Sequence, residues 1–270
     1  MSSFSTPAIV LRRIDYGEYD FVITLFTLRN GKVSVIAKSA KKSKKRFAGI
    51  LEIFSILDVV CNVGRRKGLP VLQEASLKYL FSDIRSSTLK TAYASYWAEL
   101  INEWMESGQK QVQLYQLFQY VLRELDSCRV SEAALSILFQ VKFMTISGLV
   151  PNLRQCSVCS IEVEKIKETR VRFDFAKGGI LCDGCTSKTL QKTFLSKGII
   201  KQLLWIEKGD LVKAVRIRFT SDALREVLEF LETFVPYHLG KEPRSLKFLQ
   251  QIRKWKIPDK RYRTHDAENH

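Results

Sequence analysis

A chain of 270 residues that is 46% hydrophobic and 27% charged can bury a substantial core and is long enough for more than one domain. No run approaches the ~20 apolar residues that span a bilayer, and Met1-Ser-Ser-Phe-Ser-Thr-Pro lacks the basic and apolar stretches of a signal peptide, so the expectation is a cytoplasmic protein without a membrane partner. The formal charge of +16 points instead to polyanions, which such an excess attracts through counterion release and steering.

That charge is uneven. Residues 1–80 hold 14 Lys and Arg against 6 Asp and Glu, and residues 81–150 hold 6 against 7. Residues 151–190 hold 7 against 5, and the last eighty hold 17 against 10. A basic module joined to a neutral, packed helical middle fits this distribution.

Residues 4 to about 80 read as short strands. Ala8–Ile14 runs into a turn at Asp15–Glu18, then Phe21–Thr27, the Asn30-Gly31 turn and Val33–Ala37 follow. Asn-Gly between β-rich runs is a strong hairpin signal. After a basic loop come Ile50–Cys61 and Leu72–Leu80. Five antiparallel strands in so short a span suit a small barrel, with an OB-fold or an SH3-like barrel as the alternatives.

From Asp83 the apolar period becomes helical. Helices are expected over Ser87–Met105, closed by Gly108, over Val112–Leu125, and from Ser131 to Gly148, where Pro151 blocks continuation. Their aromatic stripes read as core. Further on, Phe194–Trp205, Ser221–Leu239 with a serine cap, and Ser245–Trp255 read as helices, and Pro258–His270 as a polar, disordered tail.

Four cysteines carry the sharpest chemistry. Cys156 and Cys159 form one CxxC knuckle, Cys182 and Cys185 a second. Two residues between thiols let both sulfurs turn to one point, and two knuckles complete a tetrahedral thiolate site suited to a structural Zn²⁺ with no open coordination position. A redox or disulfide-forming CxxC is the competing reading, though it wants one motif beside a βαβ pattern. Cys61 and Cys128 lack partners at ligand spacing and read as buried free thiols.

The densest charge is Lys38, Lys41, Lys42, Lys44, Lys45 and Arg46, in a loop between strands; Arg65, Arg66 and Lys67 sit in a later turn. Such loops on a small barrel bind nucleic acid through phosphates, with Phe47 as a candidate stacking residue. A solvated, solubilising loop is the plainer reading. About six phosphate contacts would give a salt slope of roughly −4 to −5. Catalytic groups are sparse: the histidines are His238, His265 and His270, and Asp15, Glu18 and Asp20 bracket Gly17 as turn residues do. No GxxxxGK[ST] loop is present, so ATP hydrolysis has no support.

The order of these pieces resembles the RecO family of bacterial recombination mediators. The likeness is carried by DYGEYD, FTLRNGKVSVIAKSAKK and RFAGILEIFS, then GLVPNLRQCSVC and GGILCDGC, and spans residues 4 to 256. It implies an α+β multidomain protein: a five-stranded OB-fold barrel (1–80), an α-helical domain in two parts (81–150 and 191–256) carrying a zinc-binding insert (151–190), and a tail (257–270).

By that resemblance the protein is not an enzyme. It binds single- and double-stranded DNA, anneals complementary strands, acts with RecR, and helps displace single-strand-binding protein so that RecA loads, which places it at the bacterial nucleoid. The four cysteines match the family's metal ligands, and the loop from Lys38 to Arg46 its DNA-contacting region. Here that loop is lysine-dominated where the family often mixes Arg and Pro. Two other readings stand beside this one: a zinc-containing RNA-binding or transcription-associated module, and a nuclease using Asp15, Glu18 and Asp20.

Overall fold

The computed structural model describes residues 2–43, 45–64, 68–186 and 193–256. The expected tail, with Lys44, Arg65, Arg66 and Lys67, lies outside the described residues.

The amino-terminal strands are β1 (Ser2–Tyr16), β2 (Asp20–Thr27), β3 (Gly31–Ala37), β4 (Ile56–Val63) and β5 (Val71–Tyr79). They close in the order β1-β2-β3-β5-β4, with β4 returning to the first half of β1. All pairs are antiparallel except β3 with β5, which meet in parallel at Ile36 and Val71. This is the OB-fold order, and it removes the SH3-like alternative. The fourth strand begins at Ile56, because residues 47–53 form turns instead of the strand expected from Ile50.

The long first strand explains its own unbroken apolar run. Ala8 and Val10 point into the barrel with Ile23, Leu25, Val35, Leu57, Val59 and Leu72. Ile9 and Leu11 point outward and are equally buried, because the helices cover that face along with Phe26, Phe54 and Ile56. A bulge between Val10 and Arg12 takes up one residue, so Arg12 pairs with Thr24 and Ile14 with Val22.

The helices are α1 (Ser82–Ser86), α2 (Thr88–Trp104), α3 (Val112–Asp126) and α4 (Glu132–Ser147). Serine side chains at 87 and 131 accept N–H bonds from Lys90 and Ala134, and Gly148 ends α4 in a left-handed conformation. The aromatic stripes are core as expected: Trp97 stacks on Phe139 at 5.4 Å, and Phe139 on Phe143 at 5.9 Å. Within this core Tyr96 Oη donates to Gln140 Oε1 at 2.9 Å, so both buried polar groups are satisfied.

A three-stranded sheet follows, β6 (Arg170–Asp174), β7 (Gly179–Leu181) and β8 (Thr193–Ser196), ordered β7-β6-β8. The helix expected from Phe194 begins later: Thr193–Ser196 is a strand because Arg170–Phe173 offers it a pairing edge, and only then does α5 (Lys197–Lys208) begin, capped by Ser196. Short α6 (Leu211–Ala214), α7 (Ser221–Leu239) and α8 (Arg244–Lys256) complete the described residues. The α7 cap is Thr220 in place of the expected serine. Phe173 of β6 meets Phe230 and Phe234 of α7 at 4.8 and 5.6 Å, which fastens the small sheet to the helical core. No helix among the described residues is long and apolar enough to cross a membrane.

Candidate nucleic-acid interface and metal centre

Three connections meet at one rim of the barrel. After β3 the backbone passes through a left-handed Ser39 into a 3₁₀ turn at Ala40–Lys42. The Ser39 N–H donates to Asp20 Oδ1 at 2.7 Å, and the Lys41 N–H to the Tyr19 carbonyl at 3.0 Å, so the basic loop is tied to the β1–β2 turn. Ser43 Oγ accepts from the N–H groups of Arg46 and Phe47, both at 3.1 Å. Arg46 Nη2 then donates to the Lys38 carbonyl at 2.6 Å, folding the loop back on its start. The Ile36 N–H donates to the Pro70 carbonyl at 2.9 Å, which sets the start of β5 beside the same edge.

Lys38, Lys41, Lys42, Lys45 and Arg46 are all exposed there. Three are partly engaged: Arg46 by the Lys38 carbonyl, Lys41 with Nζ 3.1 Å from Asp15 Oδ2, and Lys42 with Nζ 3.3 Å from the Tyr19 ring centre. Asp15 and Asp20 therefore serve the turn and the loop, and among the described residues they do not gather with Glu18 into a metal-holding group.

Phe47 does not serve as an exposed stacking residue. It is 3% exposed, plugging the barrel with Ala40 and Leu51 while Arg46 lies over its ring at 4.4 Å. An aromatic that is open to solvent at this end is Tyr16, 56% exposed at the end of β1. Arg12, exposed on the outer face next to Thr24 of β2, is the other group the sequence reading passed over. Strand alternation marks one of the pair Arg12-Arg13 as outward, but the bulge decides which. Arg13 is instead held at 2.6 Å by Glu52.

The four cysteines converge as expected. Their sulfurs all lie within 4.8 Å of one another, and Cys159 and Cys182 are 3.6 Å apart. A tetrahedral centre with bonds near ~2.3 Å separates its sulfurs by about 3.8 Å, whereas a disulfide needs ~2.05 Å; all six cysteines are free thiols. The first knuckle is made by the Ser160 N–H donating to the Cys156 carbonyl at 3.0 Å, the second by Cys185 donating to Cys182 at 3.0 Å.

The knuckles are brought together by backbone pairing between distant segments. The Asn152 N–H donates to Gly178 at 2.8 Å and the Ile180 N–H to Asn152 at 3.0 Å. Gly179 permits this, since a Cβ there would stand 2.8 Å from the Asn152 carbonyl oxygen and 2.2 Å from Ser157 Oγ.

The thiols are electrostatically unequal. Burial alone would raise Cys156, but N–H groups of Cys159, Cys182 and Val158 outweigh it and bring that thiol down to about 6. Cys185 is pushed up to about 12 by its neighbours, Cys159 first, and Cys182 is raised by burial and by Cys159. Cys156 gives up its proton readily, while Cys182 and Cys185 resist until a cation offsets the repulsion, which is the chemistry of a metal-holding cluster.

The remaining cysteines divide. Cys61 is buried within the barrel, where desolvation pushes its thiol up to about 11. Cys128 was expected to be buried as well, yet it is exposed in a left-handed turn after α3, with Lys90 Nζ 2.7 Å from its sulfur. His238 packs on Phe234 at 4.3 Å.

Comparison with known proteins agrees with this architecture. The model for "Recombination protein O N terminal" matches residues 1–81, and that for "Recombination protein O C terminal" matches residues 85–247. A DNA repair protein RecO of Desulfosudis oleivorans is 46% identical over 260 residues, covering 94% of this chain and 100% of the relative. One from Desulfatibacillum aliphaticivorans is 42% identical, covering 94% and 99%, and one from Anaeromyxobacter dehalogenans is 34% identical, covering 93% and 98%. With barrel, helices and cysteine cluster all inside the matched span, the chain belongs to the RecO family.

Proposed function

We propose that the protein is a non-enzymatic mediator of DNA repair and recombination. It binds single- and double-stranded DNA along the barrel rim through Lys38, Lys41, Lys42, Lys45 and Arg46, joined by Lys44, Arg65, Arg66 and Lys67. It anneals complementary strands and, with RecR, helps RecA load onto DNA coated by single-strand-binding protein at the bacterial nucleoid. The observation that carries this reading is the gathering of five exposed cations at one edge of an OB barrel. Cations crowded there repel one another, and phosphates relieve that repulsion while releasing counterions. Neutralising two strands at once lowers their own repulsion, so bases can meet.

The cysteine cluster holds one structural Zn²⁺, as the sulfur spacing and the closed donor set support. Its part is to keep the small sheet folded against α7, as a platform for partners.

The decisive experiment is annealing of complementary oligonucleotides coated with single-strand-binding protein, at two salt concentrations. Acceleration that fades with salt and with alanine at Lys41, Lys42 and Lys45 is the expected result. No acceleration, or acceleration indifferent to those changes, ends this reading.

A further inference from the structure

We propose that the outer face of α5, with the segment that follows it, binds a second single strand of nucleic acid apart from the barrel rim; its use in pairing two strands rests on the annealing function proposed above. In α5, Ile199, Ile200, Leu203 and Ile206 are buried. The opposite stripe, Lys201, Trp205 and Lys208, is exposed, with Trp205 46% exposed between two lysines. Gln202 Nε2 donates to the Arg218 carbonyl at 3.3 Å, and the Gly209 N–H to the Trp205 carbonyl at 2.9 Å, so the chain through Arg216 and Arg218 folds back along this helix.

The local carboxylates are already engaged. Glu207 is held by Arg154 at 3.0 Å, and Asp210 pairs with Lys213 at 3.5 Å while capping α6. Among the described residues, Lys201, Lys208, Arg216 and Arg218 have no carboxylate partner within 4.0 Å. An exposed indole between unneutralised cations matches what single-stranded nucleic acid needs, a ring for a base and charges for its phosphates. An acidic peptide would want a pocket for an anchoring side chain. The cavity under α5, lined by Met144, Leu153, Leu203 and Phe230, does not include Trp205.

This surface belongs to a different layer from the rim. Helix α5 is held on α4, where Lys142 Nζ donates to the Glu207 carbonyl at 2.9 Å, and it follows directly from β8. The barrel is held by α1, α2 and the start of α3, through Arg85 to Ser55, Lys32 to Asn102, and Phe26 against Tyr115. Two strands can thus occupy one molecule without sharing cations.

The test counts short non-complementary oligonucleotides bound per full-length chain by calorimetry, with Trp205→Phe as the fluorescence control. The native protein is expected to bind two, one of them quenching the Trp205 emission. Trp205→Ala combined with K201E and K208E is expected to bind one, with unchanged melting, the second site weakened about ten-fold or more. Two oligonucleotides bound by a protein that does not anneal would sink the mediator reading and leave this surface standing. A single oligonucleotide bound by native protein and triple variant alike, or Trp205 quenched by an acidic peptide and not by oligonucleotide, overturns the proposal.

Discussion

Gly31 faces Gln109 so closely that a Cβ on Gly31 would stand 2.1 Å from the Gln109 carbonyl oxygen. The tight Asn30-Gly31 turn between β2 and β3 is therefore also a contact between the barrel and the helices. Beside it the Gly108 N–H donates to the Lys32 carbonyl at 2.9 Å, and Lys32 Nζ donates to the Asn102 carbonyl. Gly31→Ala adds a Cβ at a φ of 67° and pushes backbone against backbone. The left-handed conformation alone costs on the order of 1–3 kcal/mol, and the lost approach adds to it. Thermal melting is expected to drop clearly, whereas Gly49→Ala, which meets nothing within 4 Å, lowers stability by less.

Removing one ligand tests the metal centre. Cys182→Ser is expected to release metal, measured as loss of about one zinc per chain, and to lower the melting temperature while the rim keeps its oligonucleotide affinity. Loss of oligonucleotide binding with an intact fold would instead put the metal at the nucleic-acid surface.

Acidity acts on the same cluster with a definite sign. Cys156 has a folded-state value near 6, below the ordinary 9.0 of a thiol. Its stabilising contribution is therefore complete above 9 and is lost as pH falls through about 6. Protons then compete with the metal for the same sulfurs. Metal retention after dialysis is expected to hold at neutral pH and to fall progressively with acidification; retention unchanged in strong acid contradicts a thiolate centre.

Two aromatic truncations separate structure from binding. Phe47→Ala empties a buried site in the barrel and is expected to cost about 3–5 kcal/mol, seen in chemical denaturation. Tyr16→Ala removes an exposed ring and is expected to leave stability nearly unchanged while weakening single-strand binding by about 1–3 kcal/mol. Equal losses of binding without destabilisation for both would contradict the burial of Phe47.

Asp15 restrains one of the rim cations. Asp15→Asn releases Lys41 and is expected to tighten binding to single-stranded DNA, by no more than about 1 kcal/mol because the pair is solvent-exposed. Lys41→Ala in that background should then lose more than in the native chain. A titration at low and moderate salt reads both effects.

Much of this was legible from local pattern. The CxxC spacing announces converging thiols because a knuckle is made by hydrogen bonds within five residues, such as Ser160 to Cys156. The helices α2, α3 and α4 follow from apolar period, serine caps and Gly148, which also act over a turn or two. The cationic run Lys38 to Arg46 is a property of the chain itself.

Tertiary structure decided whatever depends on which distant surface covers a residue. Thr193–Ser196 is a strand because β6 lies beside it. Phe47 turns inward because the barrel end needs a plug, and Cys128 stays outside because its turn is not covered. Ile9 and Ala8 are neighbours that face opposite ways and are both buried, one by helices and one by strands. Short-range hydrogen bonding and periodicity are written along the chain, but the free energy of burial belongs to pairs of surfaces that meet only when the whole molecule folds.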